Sequence, residues 1–125
     1  MEWKDKRKKM DEFLKVHVVP ILRSKGFKGS FPNFKRSVSH KVDILNFQFS
    51  QWSALFYINI GSAPIEGVTF LDGTHYPSEN IKVYQCRNQR RIGNNSFDFE
   101  NENFEDVVSD VIKSLPEAEE WWNKI

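Results

Sequence analysis

The chain is nearly free of cysteine: Cys86 is the only one among its 125 residues. An internal disulfide needs two cysteines and a four-thiolate zinc site needs four, so both are excluded. The three histidines are scattered, with no second ligand at a metal-binding spacing. We therefore expect no metal and no other cofactor, and we expect Cys86 to be a small buried core residue.

Long apolar runs are also missing. No segment approaches the about 20 apolar residues that span a bilayer. Residues 1–6 lack the apolar stretch of a secretory signal. The expectation is a cytoplasmic protein without membrane contact.

What the chain does contain is enough apolar material for one core. A length of 125 residues fits one domain over residues 1–125, and 39% of the residues are hydrophobic, with eleven Phe and four Trp among them. We expect a core built from a few bulky rings.

The charge is unevenly distributed. Residues 1–41 contain 12 Lys and Arg against 4 Asp and Glu, whereas residues 42–125 contain 6 against 13. The basic segment could be a nucleic-acid footprint. The interpretation that we favour is a basic first helix lying near an acidic last helix.

Helical periodicity marks both ends of the chain. The first apolar stripe consists of Met10, Phe13, Leu14, His17, Val18 and Ile21. It places His17 in the core, while Pro20 predicts a break and Gly26 a helix end. A second stripe over residues 104–115 predicts a helix that Asn103 caps. Ser114 and Glu117 have the spacing of a capping box, which predicts a fresh short helix carrying Trp121 and Trp122.

The middle of the chain alternates with the period of strands. Residues 42–50 and 54–61 predict a hairpin whose paired positions sum to about 103, with Phe47 opposite Phe56 and Leu45 opposite Ile58. Further strands are expected at residues 31–37, on an edge because of Pro32, at 68–71 and at 81–92. The predicted fold is α+β: an antiparallel sheet of about four to five strands with N- and C-terminal helices packed on one face.

The other face of this hairpin is rich in polar side chains. Amides are disfavoured in strands, so their presence beside Tyr and Arg indicates a surface for hydrogen bonding. The candidate binding residues are Arg36, Asn46, Gln48, Tyr57, Asn59, Arg87, Gln89 and Arg91. The alternative interpretation is an ordinary hydrated sheet face on which arginine stems cover aromatic rings.

Several short motifs occur in a characteristic order: Pro20 in the first helix, Gly26-Phe27-Lys28, Phe34 with Arg36, Phe47-Gln48 with Ser50, Ile58-Asn59 with Gly61, Arg91-Ile92-Gly93 and Trp121-Trp122. In this order the chain resembles a family of small uncharacterised bacterial domains. The resemblance implies the α+β fold and a bacterial cytoplasm, and it implies no activity, cofactor or catalytic residue.

Three functions remain open from the sequence. The leading hypothesis is a non-catalytic module, of the interaction or immunity type, that binds another protein through the polar face or through the loop at 62–80. The second is an enzyme that handles a small ligand or phosphate in a pocket between the sheet and that loop. The third is nucleic-acid binding by the basic N-terminal segment. We expect a protein partner, neither nucleic acid nor membrane, and a monomer or homodimer.

Overall fold

The computed structural model describes residues 2–125. In chain order the elements are α1 (Trp3–His17), α2 (Val19–Ser24), β1 (Lys28–Ser30), β2 (Asn33–Val38), β3 (Lys41–Phe49), β4 (Leu55–Pro64), β5 (Val68–Thr69), β6 (His75–Tyr76), a 3₁₀ helix (Val83–Gln85), β7 (Asn88–Arg91), β8 (Phe97–Asp98) and α3 (Phe104–Asn123). The predicted α+β fold is confirmed.

The main sheet is antiparallel, with strand order β1-β2-β3-β4-β7, and β8 pairs with the other end of β4. It has six strands, against the four to five expected. The expected short strand near residue 68 forms as β5, which pairs with β6 in a separate ribbon.

The predicted register of the central hairpin is wrong by two residues. Phe47 lies opposite Ile58, and Leu45 lies opposite Ile60. The cause is a longer turn: the Ser50 N–H donates to the Leu55 carbonyl, so the backbone of Ser50 pairs with Leu55 and not with Ser53. Because side chains alternate with period two, a shift of two residues keeps each side chain on its predicted face.

The helices cover one face of this sheet. Phe47, Phe56 and Ile58 from the hairpin pack there against Leu14 of α1 and Trp122 of α3, all of them buried. The many rings are in contact; Phe56, for example, lies 5.1 Å from Phe97 between ring centroids. This face contains the principal core.

The first helix breaks where Pro20 predicted. α1 ends at His17, and α2 begins at Val19 with Pro20 in its first turn, where its missing N–H costs nothing. Gly26, at φ +95°, ends α2: its N–H donates to the Arg23 carbonyl and the Phe27 N–H to the Leu22 carbonyl. His17 is exposed beside Phe13, so the predicted core histidine is wrong.

The predicted restart of the last helix is also wrong. α3 continues through Pro116, and the Ser114 hydroxyl donates to the Asp110 carbonyl at 2.8 Å instead of capping a new helix. Residues on both sides of Pro116, Leu115 and Ala118 among them, are buried against the core. Their burial on one continuous face outweighs the loss of one backbone hydrogen bond. Asn103 does precede the helix, but its side chain makes no capping bond.

Two strand predictions require correction. Pro32 lies in the turn between β1 and β2, so β2 is an inner strand and β1 forms the edge. The strand expected over residues 81–92 is a 3₁₀ helix followed by the short β7, because Ile81 and Val83 turn inward onto the sheet face that the helices leave uncovered. Among residues 2–125 none of the helices has the length and hydropathy of a membrane span.

Candidate functional site

Half of the second sheet face is covered by the segment between β4 and β7. A small apolar cluster seals this half: Val42, Ile44, Ala63, Val68, Ile81, Val83 and Cys86. Gly61 allows the close approach, since a Cβ there would lie 3.0 Å from the Cys86 sulfur. The 3₁₀ helix (Val83–Gln85) is thereby held above the sheet, beside the polar half of this face that the cluster leaves open.

One rung of polar residues crosses that polar half. Asn33 of β2 lies opposite Asn46 of β3, Asn46 opposite Asn59 of β4, and Asn59 opposite Arg91 of β7. Four adjacent strands thus place these side chains in one row on one face. We call this row of four side chains the polar rung. It arises from the pairing register of the strands, which the sequence of any one strand does not show.

The hydrogen bonds of the polar rung all run in one direction. Arg91 Nε donates to Asn59 Oδ1 at 3.1 Å, Asn59 Nδ2 donates to Asn46 Oδ1 at 3.0 Å, and Asn46 Nδ2 donates to Asn33 Oδ1 at 3.2 Å. Asn59 Nδ2 also donates to Gln48 Oε1 at 2.9 Å. Each amide is therefore oriented by its neighbour before any ligand arrives.

Arg91 is held at two points. Its Nε is bonded to Asn59, and its guanidinium lies 4.0 Å from the centre of the Tyr57 ring, a cation–π contact. Its two terminal nitrogens have no hydrogen-bond partner within residues 2–125. Two parallel N–H groups in this fork match the geometry of a carboxylate or phosphate.

The polar rung forms the floor of a cavity of about 720 Å³, which we call the rung pocket. Its lining residues are Asn33, Asn46, Gln48, Asn59, Lys82, Val83, Tyr84, Gln89, Arg90 and Arg91. Lys82 and Arg91 bring positive charge to this lining, and within the described part of the chain it contains no carboxylate, histidine or cysteine. The rung pocket therefore suits an anion.

Of two further predicted binding residues, Gln89 lines the rung pocket and Arg87 does not. Gln89 lies in the rung pocket, but its amide donates to the Cys86 carbonyl at 2.9 Å and so fastens the 3₁₀ helix to β7. Arg87 was expected to share a face with Arg91. Arg87 precedes β7, is exposed and does not line the pocket.

Arg36 is on the wrong face for the predicted surface. It follows Phe34 by two residues, and Phe34 is buried under the helices, so Arg36 points to the same side. Its guanidinium lies 4.5 Å from the centre of the Phe27 ring and 5.3 Å from that of Trp122. The residue belongs to the packing beneath α3.

Carboxylates engage every side-chain nitrogen of Arg36. Nε and Nη2 donate to Asp43 at 3.1 and 2.7 Å, and Nη1 and Nη2 each donate to Glu119 at 2.9 Å. Burial acts to lower the pKa of Arg36, but the hydrogen bonds to Glu119 and Asp43 outweigh it and raise that pKa. Lys41 Nζ donates to Asp43 at 2.7 Å and to the Trp122 carbonyl at 2.8 Å. We call Arg36, Lys41, Asp43 and Glu119 the ion network, and it ties α3 to the sheet.

Sequence reasoning missed five residues that line the pocket: Asn33, Lys82, Val83, Tyr84 and Arg90. Asn33 has a signal in the sequence, because it alternates with the apolar Phe34 and therefore belongs to the opposite face. Lys82 and Tyr84 have none, since they reach the pocket through a 3₁₀ helix without strand periodicity.

Two further predictions concern Cys86 and metals. Cys86 is buried, as expected, and burial raises the pKa of its thiol to about 11. That shift is opposite to the one that activates a nucleophilic cysteine. Residues 2–125 bring no three His, Cys, Asp or Glu side chains together in a metal-binding group.

The basic start of the chain does lie near the acidic end. α1 packs against α3, and Lys6 Nζ lies 3.4 Å from a carboxylate oxygen of Glu100, just before α3. Other lysines and arginines of α1 cover aromatic rings: Arg7 lies 4.9 Å from the centre of the Phe49 ring. Part of the positive charge thus serves the packing of the helices.

Comparison with known proteins gives a family. The model of the family described as "Domain of unknown function (DUF4304)" matches residues 18–124, which include α2, the whole sheet and α3. No curated protein and no solved structure matches the chain. The ordered motifs from Pro20 to Trp121-Trp122 all fall within the matched residues. The chain belongs to the DUF4304 family, whose function is unknown.

Proposed function

We propose that the protein binds a small anionic ligand, a phosphate or carboxylate compound, in the rung pocket. The observation that carries the proposal is Arg91: Asn59 and Tyr57 fix its guanidinium, and its terminal nitrogens stay free. An arginine held in one orientation loses less side-chain entropy when it grips an anion. The rest of the pocket supplies further donors.

The shape of the site supports a small ligand over a flat protein interface. A volume of about 720 Å³ lies within the range of small-molecule sites, about 300 to 1,000 Å³. The 3₁₀ helix walls one side, and the amides on the floor are partly buried. A protein partner, which the sequence led us to expect, stays a prediction.

The proposal is limited to binding. The lining supplies hydrogen-bond donors and positive charge, which hold an anion. The proposal thus shares two features with the enzyme hypothesis from the sequence: a small or phosphate-containing ligand, and a pocket on the sheet. No catalytic residue is proposed.

The test is titration with inorganic phosphate at low ionic strength, followed by NMR of the side-chain amides and by calorimetry. We expect shifts at the amides of Gln48 and Asn59. Arg91→Gln should weaken binding about tenfold, which is the effect of losing about 1.4 kcal/mol of charged hydrogen bonding. Arg87→Gln is the matched control, because it removes the same charge four positions away and outside the pocket.

The results separate site binding from general attraction. Unchanged phosphate affinity in Arg87→Gln, beside a tenfold loss in Arg91→Gln, supports the site. Equal losses in both variants would mean that phosphate senses only the overall charge, and the proposal would be wrong. Absence of phosphate binding to the unaltered protein would also overturn it.

A further inference from the structure

A second cavity adjoins the rung pocket on the same sheet face. Its volume is about 690 Å³, and it extends over β1 and β2 toward the segment at residues 78–82. Three lysines line it, Lys28, Lys35 and Lys82, and we call it the lysine pocket. Ser30 and Ser78 add hydroxyl groups to the same lining.

Two residues belong to both cavities. Asn33 and Lys82 line the rung pocket and the lysine pocket alike, so the two cavities meet at these side chains. Asn33 is the last member of the polar rung: it accepts from Asn46 through Oδ1, and its Nδ2 has no partner among residues 2–125. An N–H donor is therefore unused where the two cavities join.

The lysine pocket has more positive than negative charge. Its one carboxylate is that of Glu79, yet Lys35 Nζ donates to the backbone carbonyl of Glu79. Burial lowers the pKa of Lys35 and the charge of Lys82 lowers it further, against the opposing effects of Glu79 and Cys86. Two ammonium groups thus repel each other here, and an anion between them would relieve that repulsion.

We propose that the two cavities form one groove for a ligand with two phosphate groups joined by a spacer. Arg91 and Gln48 hold one phosphate in the rung pocket, and Lys28 and Lys35 hold the other in the lysine pocket. Lys82 lies between them. This inference rests on the proposed function, because it extends the same site to a second anion.

The geometry of the sheet sets the length of the spacer. Adjacent strands lie about 4.8 Å apart, so three strand spacings, about 14 Å across the sheet, separate Arg91 on β7 from Lys35 on β2, and one further spacing separates it from Lys28 on β1. Long side chains reach inward from both ends and shorten that span. A six-carbon spacer is therefore a better probe than pyrophosphate, whose two phosphates are adjacent.

The experiment compares two probes by calorimetry in a magnesium-free buffer: hexane-1,6-diyl bisphosphate and hexyl monophosphate. The probes share the spacer and differ in the second anion. We expect the bisphosphate to bind about tenfold more tightly than the monophosphate, because each additional charged hydrogen bond contributes about 1.5 kcal/mol.

The decisive variant is Lys28→Gln with Lys35→Gln, which should abolish the advantage of the bisphosphate and leave monophosphate affinity within about twofold. Its matched control is Lys4→Gln with Lys8→Gln, which removes two exposed charges from α1 and lines neither cavity. Circular dichroism checks that both variants keep the fold.

Each other outcome overturns the inference. If the monophosphate binds and the bisphosphate gains nothing, the second subsite is wrong and the proposed function stands. Equal weakening by the two lysine pairs would show a diffuse field in place of a subsite. If neither probe binds, the proposed function and the groove fail together.

Discussion

The two faces of the sheet use arginine in opposite ways. On the helix-covered face, protein carboxylates engage every nitrogen of Arg36. On the other face, Arg91 has one nitrogen engaged and two free. Both guanidinium groups lie against aromatic rings. Stacking on a ring is therefore common to both arginines, and only Arg91 keeps terminal nitrogens that an anion could occupy.

The largest expected loss of stability comes from a substitution that breaks the ion network. Asp43→Ala removes a carboxylate that is 1% exposed and leaves Arg36 and Lys41 with less compensation. We expect the free energy of unfolding, measured by urea denaturation, to fall by about 3 kcal/mol, since unpaired buried charge is costly.

Arg91→Ala is the comparison for that variant. It removes an exposed side chain from the other face, so the free energy of unfolding should fall by less than about 1 kcal/mol. Equal losses in the two variants would contradict the division between a structural arginine and the arginine proposed to bind an anion.

A second prediction concerns the small cluster that covers half of the open face. The pKa of the Cys86 thiol is raised by burial to about 11 from an ordinary 9.0. A raised pKa means that the folded state disfavours the thiolate. The contribution of Cys86 is therefore complete below pH 9 and is lost as the pH rises through 11.

Unfolding free energies measured from pH 8 to pH 11 in the wild type and in Cys86→Ala isolate this effect. The wild type should lose about 2 kcal/mol more than the variant over that range, because the folded and unfolded thiols differ in proton affinity by about 1.4 kcal/mol for each pH unit between their pKa values. Contributions common to both proteins cancel in the difference, apart from that of Lys35, whose charge acts on the Cys86 thiol. Parallel curves would mean that the thiol is accessible to water and that the cluster does not seal.

The sequence predicted the faces of the hairpin better than its pairing. Asn46, Gln48, Tyr57 and Asn59 lie on the expected face although the register was wrong by two, because side-chain direction repeats every two residues. Arg36 was misplaced because its strand was assigned separately from the hairpin. Phe34 is buried under the helices, and Arg36, two residues later in the same strand, must point to the same face.

Other features depend on tertiary structure. Nothing local places Lys82 above the polar rung, since its position follows from the packing of Cys86 on Gly61. The local sequence around Pro116 predicts a helix start, and α3 stays continuous because residues on both sides of Pro116 are buried. Long-range packing outweighed local preference in both places.

Asn59→Ala has a small expected effect on stability and the sharpest effect on the orientation of Arg91. Asn59 joins Arg91 to Asn46 and Gln48, so its loss interrupts the polar rung at the centre. We expect a loss of about 1 kcal/mol in the free energy of unfolding, because these partly exposed hydrogen bonds are exchanged for bonds to water. Phosphate affinity should fall about threefold, since Arg91 keeps its charge and its contact with Tyr57 but loses the anchor at Nε.

Asn88→Ala is the matched control for that variant, because Asn88 is an exposed asparagine of β7 that lines neither cavity. Calorimetry with phosphate should find its affinity unchanged. The ratio of the two affinities measures how much the fixed orientation of Arg91 contributes beyond its charge. A ratio of one would show that Arg91 needs no orientation by the amides, and the polar rung would then be a hydrated sheet surface on which the arginine acts alone.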